Sequence, residues 1–414
     1  MQKKDAEKFT LEYLKKIGLK AARNTRQFWN NIQDKYGEKI FTDLNKAEAK
    51  PGAEINLYDT KNSNFELSMD FSRYSADLYR RFFEWFLQNV SFQDNLTILD
   101  LCCDNGLVTC FFGLLYPNSK VIGIDQCENG IKCAEQLKHH LGLNNVDFRI
   151  GKIQDLEKLF VDINFNLITS IRNLHEVTGL PKLPKKIWSL ESLENMEYDV
   201  PTDLKKLLLS IKKLLTSNGL FISMERLACS ETTFLYLKEL QKAGLFINCD
   251  LYKRVQFHEL GDQQEMPLIV ATKQGDNQNI LENVLKIYCN RYNEMLEKNL
   301  ELTGIDAEYQ FNKLKDKTLL KGFQVNNDIE NSSHDFNYCK DTANCDKLRL
   351  EAWKSEDFII CYTYSNIGYR SIRILDRNDI DNILESFEQK KKSFIEIGNN
   401  VSSYTSIKER DELE

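Results

Sequence analysis

Between residues 96 and 273, short apolar runs alternate with segments of helical spacing, and this alternation constrains the chain more than any other feature. "LTILDLC", "KVIGIDQ", "VDFRIG", "NLITSI" and "GLFISMERL" have the length and apolar character of buried strands. "GLVTCFFGLLYP", "ENGIKCAEQLKHHLGL" and "TDLKKLLLSIKKLL" between them carry helical periodicity. Such alternation implies a mostly parallel sheet covered by helices on both faces. A helix at "ETTFLYLKELQKAG" then leads to "FINCDLYKRVQF" and "PLIVATK", expected to close one edge as an antiparallel pair.

The flanks read differently. Residues 1–95 repeat apolar residues at three- and four-residue spacing in "KFTLEYLKKIGLKAA", "RQFWNNIQDKYGEKIFTDL" and "SADLYRRFFEWFLQNV", with a polar stretch at Pro51 and Gly52. This predicts a helical cap, in whose last helix Leu78, Phe82, Phe83 and Phe86 share one face that needs a partner. Residues 274–414 open on an amphipathic helix, "NILENVLKIYCNRYNEMLEKNLEL", and pass through a polar linker at 325–337. They continue as three hairpin-linked strands, "KLRLEAWKS", "DFIICYTYS" and "YRSIRILD", and a final helix. A chain of 414 residues exceeds one ordinary core, so three regions are expected: a cap over 1–95, a sheet domain over 96–273 and an accessory α+β domain over 274–414. The last shows no chemical motif and is expected to serve recognition or oligomerisation.

Chemistry concentrates at the end of the first strand, in "ILDLCCDNGLVTC", residues 98–110. Asp100 closes the strand, and the backbone must then turn tightly enough for its amides to face a ligand before the next helix presents its N-terminus. Glycines normally permit that turn, yet the stretch holds only Gly106. Cys102 is small, and Asp104 and Asn105 tolerate left-handed backbone angles better than most residues, so the turn remains feasible. The second strand ends in Asp125, where a carboxylate can accept both hydroxyls of a ribose.

The order and spacing of these motifs resemble the class I S-adenosylmethionine-dependent methyltransferases over about residues 96–273. "ILDLCCDNG" matches the glycine-rich loop and "VIGID" the acidic second strand. "DFRIGKIQDL" follows the third strand, "FNLITSIRNLHEV" carries the fourth and "LLTSNGLFISME" the fifth. The resemblance implies an α/β fold: a Rossmann-like seven-stranded methyltransferase sheet with an N-terminal helical cap and a small α+β C-terminal region. It implies S-adenosylmethionine as cofactor. Asp100, Cys102, Asp104 and Gly106 would line its methionine and ribose side, and Asp125 would hold the ribose hydroxyls beside Gln126. Lys152 and Ile153 would flank the adenine, and Ser170 would close the site. Two departures stand out: Asp104 occupies the place of the family's middle glycine, and Lys152 that of an acidic residue which often meets the adenine amine. Both favour a competing reading, a non-catalytic protein that keeps the fold for binding or scaffolding.

After the fourth strand, "RNLHEV" lacks the proline-tyrosine motif common in enzymes that methylate amide or base nitrogens, and resembles the "LHD" of small-molecule methyltransferases. In the O-methyltransferase branch a histidine at this place takes the proton of a substrate hydroxyl, a role suited to the one side chain that titrates near neutrality. The resemblance therefore assigns His175 as general base, with Glu225 orienting it. The long connection after "LHE" carries Trp188 and Tyr198 as candidate pocket residues, as does the aromatic helix with Tyr74, Tyr79, Phe83 and Trp85.

Charge and composition narrow the partners. A net charge of −7 argues against duplex nucleic acid, whose binding needs a basic face. The expected partner is a small-molecule or peptide substrate, with a homo-oligomer through either flanking region a further expectation. No apolar run is long enough for a membrane span, the first residues lack a secretion signal, and a cytoplasmic location is expected. Eleven scattered cysteines read as buried small hydrophobes. His334, Cys339 and Cys345 lack the paired spacing of a zinc site, so no metal is expected.

Overall fold

The computed structural model describes residues 1–49, 56–93, 95–182, 195, 197–227, 230–275, 301–326, 347–365 and 370–412. Five helices come first: α1 (Lys3–Lys16), α2 (Thr25–Ala49, broken at Gly37), α3 (Leu57–Lys61), α4 (Phe65–Ser72) and α5 (Ala76–Asn89). Then β1 (Thr97–Leu101), β2 (Lys120–Asp125), β3 (Val146–Ile150), β4 (Phe165–Ile171) and β5 (Leu215–Met224) alternate with α6 (Leu107–Leu115), α7 (Glu128–Leu141), the single turns α8 (Leu156–Leu159) and α9 (Leu174–Val177), and the helix Thr202–Leu214. The five strands are parallel, in the order β3-β2-β1-β4-β5. Strand order reverses between β1 and β4, and in open α/β sheets the crevice at such a reversal is where ligands bind.

The expected antiparallel edge is present with one correction. "FINCDLYKRVQF" is not one strand but two, β6 (Phe246–Ile247) and β7 (Lys253–Glu259), split by a turn in which the Leu251 amide bonds back to Asn248. Both pair with the eleven-residue β8 (Asp262–Thr272), which runs antiparallel beside β5. The sheet therefore counts eight strands, one more than the expected seven.

The chain gathers into two compact units. The first takes residues 1–180, 200–227 and 237–277, so the N-terminal helices share a core with the sheet. Leu78, Phe82, Phe83 and Phe86 of α5 are fully buried with Ile98, Phe111 and Phe112, and Phe83 stacks on Phe111 at 3.9 Å. The aromatic face of α5 thus covers the sheet domain, as its pattern required. The second unit takes residues 181–199, 228–236 and 278–414.

The second unit is built on an antiparallel sheet ordered β14-β10-β11-β12-β13-β9. Its strands are β9 (Glu301–Thr303), β10 (Thr318–Asn326), β11 (Lys347–Lys354), β12 (Phe358–Ser365), β13 (Arg370–Asp376) and β14 (Asn400–Tyr404). The three predicted hairpin strands are β11, β12 and β13. The predicted helix over 279–302 falls outside the described residues except for its last two, which lie in β9. Leu348, Leu350 and Ala352 pack with Phe323, Phe387 and Phe394, placing the helix Ile380–Glu396 on one face. Phe311, from the helix Gly304–Lys313, stacks on Tyr362 at 3.9 Å on the other.

Glu351 is the polar hub of that second face. Its carboxylate accepts the Trp353 Nε1–H at 2.9 Å and the hydroxyls of Tyr364 and Tyr404 at 3.0 and 2.9 Å, with the Arg410 guanidinium 3.6 Å away. Gly322, paired with both Glu351 and Tyr404, leaves room for the tyrosine to cross β10, since a Cβ there would lie 2.2 Å from its ring. Glu351→Leu strands three donors and a guanidinium, and should cost about 3 kcal/mol, seen as a lowered urea midpoint with unchanged slope. An unmoved midpoint would show that the network adds nothing to stability.

Candidate active site

The loop from β1 to α6 has its left-handed residues at alternate positions: Cys102 at φ 50°, Asp104 at φ 49° and Gly106 at φ 76°. Asn105, expected to share that burden, is not among them. Cys102 takes it instead, and the two non-glycine residues cost about 1–2 kcal/mol each. The surroundings hold them there. The Cys103 amide bonds to the Ile124 carbonyl at 2.9 Å, the Asp104 amide to Asp125 Oδ2 at 2.9 Å, and the Gly106 amide to the Cys103 carbonyl at 2.8 Å. At position 106 no side chain fits, because a Cβ would lie 2.6 Å from the Phe148 ring and 2.8 Å from the Ala134 methyl.

Asp100 is placed differently from its expected role in the crevice wall. It is 2% exposed, and its oxygens accept the hydroxyls of Thr109 at 2.7 Å and Thr169 at 2.9 Å, so it braces β1 against α6 and β4. Burial pushes its carboxyl up to about 7 against those two hydrogen bonds, with the charge of Asp125 adding to the rise. Asp125 lies at the end of β2, and burial and then the charge of Asp104 raise its carboxyl too. Each Asp125 oxygen accepts one backbone amide, from Asp104 and from Cys127 at 2.8 Å, and keeps a lone pair for a ligand hydroxyl. Cys102 is half-buried, and burial followed by the charge of Asp125 pushes its thiol well above the ordinary range, leaving it neutral. Gln126, expected beside Asp125 at the ribose, is exposed; of the residues expected at the adenine, Lys152 is exposed and Ile153 is buried in the turn before α8.

The ends of β4 and β5 bring together Ser170, His175 and Glu225. Glu225 is fully buried and accepts the Leu174 amide at 3.1 Å. Its Oε2 also lies 3.2 Å from His175 Nδ1, and its Oε1 lies 2.8 Å from the hydroxyl of Ser170. Ser170 meets Asn173 Oδ1 at 2.5 Å as well, and Asn173 donates to the Leu101 carbonyl at 2.6 Å, which joins the ends of β4 and β1. A carboxylate on Nδ1 fixes the proton there and turns Nε2 into the basic nitrogen. Nε2 lies 3.5 Å from Glu176 Oε1.

The cap contributes residues that sequence reasoning passed over. α3 and α4 lie in what reads as a polar stretch, each opened by an asparagine: Asn56 accepts the amides of Tyr58 and Asp59, and Asn64 that of Leu67. Those Asx caps were the available signal. From α3, the Tyr58 hydroxyl donates to Glu176 and Lys61 Nζ reaches Asp104 Oδ2 at 2.5 Å. Asn62, next in the chain, donates to Asp104 Oδ1 at 2.6 Å. Ser68 of α4 bridges Asn62 at 2.6 Å and Asn105 at 2.9 Å, so the cap is bonded directly to the loop. Among the other candidate aromatics, Phe83 and Trp85 are buried in the core, Tyr74 stacks on Phe71, and Tyr79 is half-exposed. Tyr198 lies in the second unit, and Trp188 falls outside the described residues.

His334, Cys339 and Cys345 also lie outside the described residues, among which no cluster of three metal-ligating side chains occurs. Among the described residues no helix is long and apolar enough to cross a membrane.

Residues 92–284, a little under half of the chain, match a family model described as a methyltransferase domain. The chain is 25% identical over 118 residues to protein 235L of Invertebrate iridescent virus 6, which bears a methyltransferase name; the match covers 26% of this chain and 42% of that one. It is 30% identical over 125 residues to the release factor glutamine methyltransferase of Thermodesulfovibrio yellowstonii, covering 30% of this chain and 44% of that one. The chain thus spans less than half the length of either curated relative. Among solved structures, an S-adenosylmethionine-dependent methyltransferase from Aquifex aeolicus aligns with 46% of this chain and 89% of its own, at 14% identity and a TM-score of 0.32.

The raised Asp100 carboxyl makes stability depend on pH. Below its ordinary pKa of 3.8 both folded and unfolded chains are protonated there, and its contribution is fully present. From 3.8 to about 7 the unfolded chain ionises and the folded one does not, so stability falls, levelling off above 7 after a loss of about 4 kcal/mol. Asp100→Asn should lack that decline, so the difference in unfolding free energy between it and the wild type should drift across this window. Parallel profiles would mean the buried carboxyl is already ionised at acidic pH.

Proposed function

We propose that the chain is a methyltransferase that transfers a methyl group from S-adenosylmethionine to an oxygen or nitrogen atom of a small molecule or peptide. The observation that carries this reading is the pairing of His175 with the fully buried Glu225 at the switch-point crevice, beside a loop held in left-handed turns at residues 102, 104 and 106. The residues present fit the cofactor. Asp125 keeps lone pairs for ribose hydroxyls, and α6 follows directly on Gly106, so its N-terminal end opens beside the loop. Cys102, Gln126, Lys152, Ile153 and Ser170 complete the proposed lining.

Bound there, S-adenosylmethionine supplies a methyl group on a sulfonium, already a good leaving group, so transfer needs alignment above all. His175 Nε2 accepts the hydroxyl proton as the acceptor oxygen gains the methyl group. Glu225 keeps Nδ1 protonated and stabilises the imidazolium that forms, and Glu176, held by the Tyr58 hydroxyl, lies 3.5 Å from Nε2. A hydroxyl acceptor suits this dyad better than an amide. The relative named for glutamine methylation supports the amide alternative, but the proline-tyrosine motif expected for such acceptors is absent here. A cytoplasmic location and a homo-oligomer remain parts of the proposal.

Calorimetric titration tests the cofactor. Micromolar binding of S-adenosylmethionine that weakens at least about tenfold in Asp125→Ala is the expected result. No binding at millimolar ligand would favour the scaffold reading. For the chemistry, methyl-labelled cofactor should mark hydroxyl acceptors from a panel of phenols, amines and peptides. His175→Ala should then cut labelling by about 10²–10⁴-fold while cofactor affinity stays. Unchanged labelling would reduce His175 to a packing role.

A further inference from the structure

Asp104 replaces a glycine at the centre of a cofactor loop, and it does not stand alone there. The Asp104 amide binds Asp125 Oδ2 at 2.9 Å, while its own carboxylate is turned to the cap. The Lys61 ammonium is laid onto Asp104 at 2.5 Å, 4.7 Å from the centre of the Tyr58 ring and 5.8 Å from that of Phe71. Its side chain is 13% exposed. Burial by itself would lower its pKa, but the Asp104 charge and hydrogen bond outweigh that and raise it, so the group is a cation. An ammonium has three donors, and among the described residues Asp104 takes one, leaving two for a ligand. Asp104 has two lone pairs engaged, by Lys61 and Asn62, and two spare.

Fixed opposite charges in contact, each with unspent hydrogen-bonding capacity and little access to water, complement a zwitterion. The α-ammonium and α-carboxylate of an amino acid carry the same two charges a few ångströms apart. Resting on the cofactor reading above, we propose that Lys61 and Asp104 form a reader for the α-amino-acid end of the cofactor, Lys61 binding its carboxylate and Asp104 its ammonium. The loop's departure from glycine is then a gain in specificity: the turn supplies one charge and the cap the other. Asn62 is a positioning residue, holding Asp104 while Ser68 and Asn105 tie the cap to the loop.

The test uses two ligands that share the adenosine and differ at this end: S-adenosylhomocysteine, which carries the amino-acid zwitterion, and 5′-methylthioadenosine, which lacks it. Affinities are measured by calorimetry on the full chain. Lys61→Met should weaken S-adenosylhomocysteine at least about tenfold and leave 5′-methylthioadenosine within about twofold, with Lys61→Arg restoring most of the loss. The second ligand reports at once whether the variant's pocket is intact. Equal loss of both ligands in a folded Lys61→Met would overturn the proposal and leave a purely structural latch, as would no loss of either. A wild type that binds 5′-methylthioadenosine as tightly as S-adenosylhomocysteine would sink this inference while sparing the cofactor reading. A wild type that binds neither ligand would sink both.

Discussion

Everything at the crevice depends on how the chain leaves β1. Residues 102, 104 and 106 all take left-handed angles, and two of them carry side chains that make such angles costly. They persist because neighbouring strands over-determine them. The Ile124 carbonyl, the Asp125 carboxylate and the Asp100–Thr109–Thr169 cluster each hold a different point of the turn. Without that turn α6 would not start at Leu107, and Asp125 would lose one of the two amides that orient its carboxylate.

Electrostatics completes the loop. Asp100 and Asp125 are buried close to one another and to Asp104, and desolvation and the neighbouring charges raise both of their carboxyls. The fold answers each in its own way. Asp100 is raised to near neutrality between two threonine hydroxyls, Asp125 is bonded to two backbone amides, and Asp104 is paired with a lysine from the cap. At the other side of the crevice Glu225 is balanced by the Leu174 amide and His175. The cap is therefore an electrostatic part of the sheet domain, which fits its inclusion in the same compact unit.

Much of this is legible in the sequence. The parallel strands, their helices and the three hairpin strands of the second unit follow from periodicity, because burial on both faces leaves continuous apolar runs and burial on one face leaves a stripe. Asp125 is legible because it ends an apolar run, whereas His175 and Glu225 are reached through the resemblance of "RNLHEV" and "GLFISME" to small-molecule methyltransferases. The rest was hidden for physical reasons. α3 spans five residues, Leu57–Lys61, too few for a periodic signal, and its two asparagine caps are weak markers. The break between β6 and β7 depends on a local turn that interrupts no apolar pattern.

The sequence by itself determined the class of fold and the strand ends that carry chemistry, since these depend on spacing within a few residues of the chain. Tertiary structure alone decided the meaning of Asp104. Read along the chain, it is an acid in the place of a glycine and a mark against a working site. In space, Lys61 arrives from 43 residues away and Asn62 from 42, and they turn it into half of a charged pair. Charge neutralisation of this kind is a property of distance in three dimensions, which no local pattern encodes.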